Sequence, residues 1–144
     1  MIIGGILLFR KKGDKRHVNL GNYYFWAMVF TNVSSLFIMK AFGKWFFPHY
    51  LALAALFFLI PGYLFGKYKW GKHWLKFHIS GFVLSYYLLI GGAINESFLH
   101  IPNLRPLLIN NDPIVRIAHS IAMLFFIGLL IYFLVKYRKW YVGK

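Results

Sequence analysis

Apolar residues run along this chain in four long stretches separated by short charged ones. The stretches cover about residues 18–39, 45–66, 74–97 and 114–135. Each matches the roughly 20 residues that an α-helix needs to cross the hydrocarbon core of a bilayer. None alternates polar and apolar residues with the period of two expected of a barrel strand. The pattern predicts an all-α, integral membrane four-helix bundle, a single transmembrane domain over residues 1–144. Met1 to Phe9 (MIIGGILLF) is also apolar but too short to cross. Its positive charge follows the apolar run and it has no small-residue cleavage site, so it does not read as a signal peptide. It is either a half-inserted helix that meets the cytoplasmic face at Arg10 or the stump of a fuller helix. We prefer the half-helix.

Polar positions inside the stretches are also patterned. In the first, His17, Gly21, Tyr24, Met28, Thr31 and Ser35 recur at steps of three and four, which puts them on one side of a helix. In the third, His78, Gly81, Ser85, Leu88, Gly92 and Glu96 do the same. Small and polar faces of membrane helices turn toward other helices, so these two stripes are expected to pack on each other. The body of the second stretch, LALAALFFLI, has no polar side chain and is expected to face lipid widely. Pro48 suits its first turn, Pro61 is expected to kink its inner end, and Gly62 with Gly66 forms a GxxxG pair suited to close packing. Residues 98–113 (FLHIPNLRPLLINNDP) carry three prolines that prevent a long helix. They are expected to lie as a cap on the outer surface.

Composition supports the membrane reading. A chain of 144 residues that is 60% hydrophobic and 22% aromatic has more apolar surface than a soluble domain of its size can bury. The net charge of +14 invites a nucleic-acid reading, but the charge is clustered. Arg10, Lys11, Lys12, Lys15 and Arg16 precede the first stretch. Lys67, Lys69, Lys72 and Lys76 fall between the second and third, and Lys136, Arg138, Lys139 and Lys144 follow the fourth. Only Lys40, Lys44, Arg105 and Arg116 remain for the other side. This is the positive-inside pattern. It predicts a multipass protein of the cell inner membrane, with basic loops and C-terminus cytoplasmic and in contact with anionic lipids. No soluble module remains to bind nucleic acid. Trp70, Trp74 and Trp140 mark the inner interface and Trp45 the outer one. The chain has no cysteine, which excludes disulfides and thiolate chemistry.

Candidate chemistry rests on six histidines, which sort three and three by side. His17, His73 and His78 fall inside; His49, His100 and His119 fall outside. His17 and His78 head the first and third stretches, and His49 and His119 head the second and fourth. In a four-helix bundle these can be diagonal pairs at two depths, one pair per leaflet, which suits axial ligation of two b-type haems. Gly21 and Gly81, one turn from His17 and His78, could clear room for a porphyrin. In this placement the chain is similar to the two-haem membrane cytochrome b superfamily. A second cluster is an outer divalent-metal site. Glu96 and His100 stand at i and i+4, and His119 and His49 can join them. The plain alternative is a surface ion pair of Glu96 with Arg116 or Lys40. Glu96 could also carry protons in a transporter, although four helices are few and no inverted repeat is visible. With Asp14, Glu96 and Asp112 as the only acidic residues, no carboxylate dyad is available for acid–base catalysis.

The segment KKGDKRHVNLGNYYFWAMVFTNVSSLFI resembles the opening of a prokaryotic multipass membrane-protein family of unknown function. Its members carry a histidine, a glycine and a tyrosine before a helix, then a histidine followed by serine–tyrosine on the third span. Here these are His17, Gly21 and Tyr24, then His78, Ser85 and Tyr86, over about residues 2–97. The resemblance implies a small multipass bacterial protein without an assigned activity, and it singles out His17 and His78. Two functional readings follow. One is electron transfer through histidine-ligated haem b. The other is a non-redox accessory subunit that docks on a membrane-protein partner or on its own copies.

Overall fold

The computed structural model of the protein describes residues 2–10, 12–37 and 47–138. Lys40, Lys44 and Trp45 of the expected outer loop lie outside these residues, as do Lys11, Lys139, Trp140 and Lys144 of the basic clusters. The chain forms α1 (Ile2–Phe9), α2 (Lys15–Leu36), α3 (Phe47–Tyr68), α4 (Trp74–His100), α5 (Arg105–Ile109) and α6 (Pro113–Lys136). The described residues contain no strand. Helices α3, α4 and α6 are long and apolar enough to cross a membrane. Helix α2 has the length, at 22 residues, but Asn19, Asn22, Thr31, Asn32, Ser34 and Ser35 dilute its apolar character. Among the described residues the fold is all-helical as expected, with six helices, three of which are apolar enough to cross unaided.

Local chemistry explains the helix boundaries. Asp14 caps α2 by accepting a hydrogen bond from the His17 amide at 2.6 Å. Asp112 caps α6 through the Ile114 amide at 2.9 Å, and Pro113 fills the first turn, where no amide is needed. The prolines of the 98–113 stretch do limit helix length, but they do not abolish it. Pro106 sits in the first turn of α5, so the five-residue helix loses no bond. In α3, the helix continues through Pro61 to Tyr68.

The tightest packing is between α3 and α4. A side chain at Gly81 would run into the Gly62 backbone and the Phe58 carbonyl, and one at Gly66 would run into the His78 ring. The Gly62–Gly66 pair is thus a true close-packing point. Above it, His49, Ala52, Ala55 and Leu59 continue the same buried row on α3. Helix α2 lies on α3, with Phe25 stacked on Tyr63 at 3.9 Å between ring centres and the Tyr63 hydroxyl donating to Asn22 Oδ1 at 3.1 Å. It reaches α4 through Tyr24, whose ring sits 5.7 Å from Phe82 and 6.1 Å from Tyr86. The two polar stripes therefore do not pack face to face. Glycines on α3 admit α4 more closely than the larger residues of α2 can, so α3 takes most of the α4 stripe. Helix α6 covers the other side of α4 through Val83, Phe126 and Phe133.

Helix α1 is a wedge in this arrangement. Leu7 packs with Tyr24, Phe25 and Met28, and Leu8 packs with Val83, Phe126 and Phe133. Gly4 lies under the rings of Tyr86 and Tyr24. At the other end of α1, the Lys12 amine donates to the Leu7 carbonyl and, at 3.0 Å, to the Leu8 carbonyl. The same amine stands 5.0 Å above the Phe133 ring. Helix α1 thus runs from the last turns of α6 only to Tyr86, midway along α4, so it has half the reach of its neighbours.

The two kinds of glycine predict opposite responses. Gly81→Ala should lower the thermal stability of the detergent-solubilised protein by about 1–3 kcal/mol, because α3 and α4 must separate. Gly21 faces open space, so Gly21→Ala should be neutral or stabilising by up to about 1 kcal/mol. Equal melting shifts for the two variants would contradict this packing.

Candidate functional site

The histidines occupy two separate ends of the bundle, as their spacing requires. At the end where α1 meets α2, His78 projects from the second turn of α4 into the notch at Gly66. Its Nδ1 lies 2.9 Å from the Gly62 carbonyl and its ring 4.8 Å from Phe82. A carbonyl can only accept, so Nδ1 carries the hydrogen and Nε2 keeps its lone pair. His17 stands in the first turn of α2, half-buried and within electrostatic range of His78. Its Nδ1 is buried and has no hydrogen-bond partner among the described residues. Lys12 completes the cluster. Burial, and then the positive charge of Lys136, pushes its amine from the usual 10.5 down to about 8. Beside it, Arg10 pairs with Asp14 at 3.5 Å. The Asp14 carboxyl is held below its ordinary value, first by the His17 amide. Of the two glycines expected to make room near the histidines, Gly21 does face open space, whereas Gly81 is filled by Gly62. Any room for a planar group therefore lies on the α2 side of His78.

Midway along the bundle, the fully buried Ser85 hydroxyl donates back to the Phe82 carbonyl at 3.0 Å. The buried Tyr24 hydroxyl is turned toward Ser85, but no hydrogen bond of proper geometry closes between them. This site separates the two histidine ends, and the titratable group beside the tyrosine is Tyr86.

At the far end, Glu96 and His100 meet as their i, i+4 spacing predicts, with Oε2 and Nε2 2.9 Å apart on an exposed face. The partner of Glu96 is thus His100 in place of Arg116. His119 does not join them. Its Nε2 lies 3.1 Å from the Asn95 amide oxygen and donates to it, which ties α6 to α4. His49 is only 2% exposed and sits in the α3 row. Among the described residues no three histidine or carboxylate groups gather to hold a metal ion. Sequence reasoning missed two participants, Asn95 and Lys12. Asn95 carried a usable signal, because an amide within an apolar stretch needs a partner on a neighbouring helix. Lys12 carried none, since it is one of several lysines in a basic run.

Lys12 gives the cluster a pH dependence with a definite sign. Its pKa is lower in the folded protein than in the unfolded chain, so folding disfavours its charged form. Stability should therefore rise with pH between about 8 and 10.5, where the unfolded chain binds the extra proton. The melting-temperature difference between the wild type and Lys12→Met should grow in the wild type's favour from about pH 7.5 to about pH 9.5. A difference that stays flat with pH would show that this amine is not buried as described. No family model, curated protein or solved structure matches this chain.

Proposed function

We propose that the protein is a multipass inner-membrane protein in which His17 and His78 ligate one b-type haem for electron transfer. In this reading α2 crosses the membrane with α3, α4 and α6. Its polar groups are met by neighbours: Asn32 donates to the Met28 carbonyl at 2.7 Å, Ser35 to the Asn32 carbonyl at 2.7 Å, and Asn22 accepts from Tyr63. The basic clusters then face the cytoplasm.

The observation that carries the haem reading is the fixed tautomer of His78. A backbone carbonyl holds its Nδ1–H and leaves Nε2 as a bare donor, which is how proteins orient imidazole ligands. His17 supplies a second imidazole from another helix, with a buried nitrogen that has no partner among the described residues. Haem bound there would supply one-electron chemistry. Arg10, Lys12 and Arg16 precede His17 in the chain and would supply positive charge for its carboxylates. The outer pair is not included, because His119 is engaged by Asn95. This narrows the expected two haems to one, and it leaves the loose family resemblance of His17 and His78 in place.

A second reading is an accessory subunit. It is favoured by the outward face of α6, where Ile117, Ile121, Leu124 and Phe125 are all exposed. Protein purified in mild detergent from haem-replete cells separates the two. The haem reading expects a Soret band that is lost in His78→Ala and His17→Ala and kept in His119→Ala. A colourless, folded preparation would overturn it and leave the accessory reading.

A further inference from the structure

The turn that joins α3 to α4 is fixed in shape, cationic and aromatic at once. Residues 67–73 (KYKWGKH) are all exposed. Lys69 closes α3 in the left-handed conformation, with a φ of 52°, and its amide donates to the Phe65 carbonyl at 2.9 Å. Gly71 takes the same region, with a φ of 71°, and leads the chain into α4. Trp70 folds back onto α3. Its ring stacks on Tyr68 at 5.0 Å and meets Phe65 edge-on at 6.2 Å. Phe65 in turn stacks on Phe77 of α4 at 4.8 Å. These rings tie together the ends of two helices that are each apolar enough to cross a membrane.

The lysines of the turn rest on its rings. The Lys67 amine lies 5.5 Å from the centre of Tyr68, and the Lys69 amine 5.7 Å from Trp74. A ring covers one side of an ammonium group and leaves its other hydrogens free to donate. No carboxylate takes them up among the described residues. Asp14 pairs with Arg10, Glu96 with His100, and Asp112 caps α6, and the chain has no other acid. Two cations of the neighbouring basic clusters are already bonded, Lys12 to carbonyls of α1 and Lys136 to the Tyr132 hydroxyl at 3.0 Å. Amphipathic rings collect at the head-group level of a bilayer. The group found at that level that suits free amines is a lipid phosphate. A choline head group carries its own cation beside the phosphate, so a lipid with net negative charge suits them better.

We propose that the α3–α4 turn is a binding surface for the head groups of anionic phospholipids, with Lys67 and Lys69 on the phosphates and Tyr68, Trp70 and Trp74 in the head-group layer. It rests on α3 and α4 crossing the membrane and is independent of any haem.

The absence of cysteine makes a direct test simple. His73→Cys carries a bimane fluorophore at the turn without removing a lysine. Ile121→Cys carries one on an exposed part of α6 as the control. The labelled proteins are reconstituted in phosphatidylcholine vesicles with increasing phosphatidylglycerol or phosphatidylcholine brominated near the glycerol end of the acyl chains. At position 73 the brominated phosphatidylglycerol should quench half-maximally at a mole fraction at least about threefold lower than the brominated phosphatidylcholine. Lys67→Gln with Lys69→Gln should remove that preference and Lys136→Gln should keep it. Position 121 should be quenched equally by both lipids. Equal quenching at position 73 would overturn the proposal and leave the free lysines to an acidic segment of another protein. A preference that survives the double variant would overturn it as well. No quenching at position 121 would show that the helices do not cross, and the proposal would fall with that premise.

Discussion

The contact between Gly62 and Gly81 sets the geometry of the whole bundle. In lipid there is little hydrophobic force to press helices together, so close approach and hydrogen bonding must do it. Two facing glycines let the α3 and α4 backbones touch, and that touch brings the Gly62 carbonyl within 2.9 Å of the His78 ring. The imidazole then acts as a pin between the helices. Its orientation, its tautomer and the direction of its free nitrogen all follow from the backbone contact. With α3 fixed against α4, one side of α4 is closed, so α6 and α1 must share the other.

Much of this was legible in the sequence because it depends on local periodicity. The starts and ends of α3, α4 and α6 fall close to the limits of the apolar stretches. The Gly62–Gly66 spacing correctly marked a close contact, and the Glu96–His100 spacing marked a pair. Partner choice was not legible. His78 and Ser85 share a stripe, yet one meets α3 and the other faces Tyr24 on α2. Which helix wins a given face depends on side-chain volumes across the gap, and periodicity does not record that. Nor does it record that His119 finds Asn95, 24 positions earlier in the chain. Helix α2 is the one long helix that composition alone does not mark as able to cross. Its amides and hydroxyls, already visible as a polar stripe in the sequence, lower its apolar character below that of α3, α4 and α6.

The two ends of the bundle use histidine in different ways. Near α1, imidazoles are sheltered among cations and keep unsatisfied nitrogens. At the α5 end His119 meets an amide and His100 a carboxylate. Charge shows the same asymmetry. The α1 end concentrates cations around a single acid, Asp14, and the Lys12 amine is pressed against helix carbonyls and a ring. A reactive centre is easier to sustain at the end where donor atoms remain free, and this is why the proposed haem is assigned to His17 and His78.

The notch at Gly66 also binds separate parts of the chain into one unit of sequence change. The imidazole at 78 fits only because position 66 has no side chain, and position 81 fits only because position 62 has none. A larger residue at 66 requires a smaller one at 78, whereas 62 and 81 both lack side chains already and leave room for one at neither. Positions 62, 66, 78 and 81 therefore cannot drift independently. Any relative of this protein with a bulkier residue at 66 should carry a smaller one at 78, a relative that keeps the histidine should keep the glycine across from it, and 62 and 81 should stay glycine together.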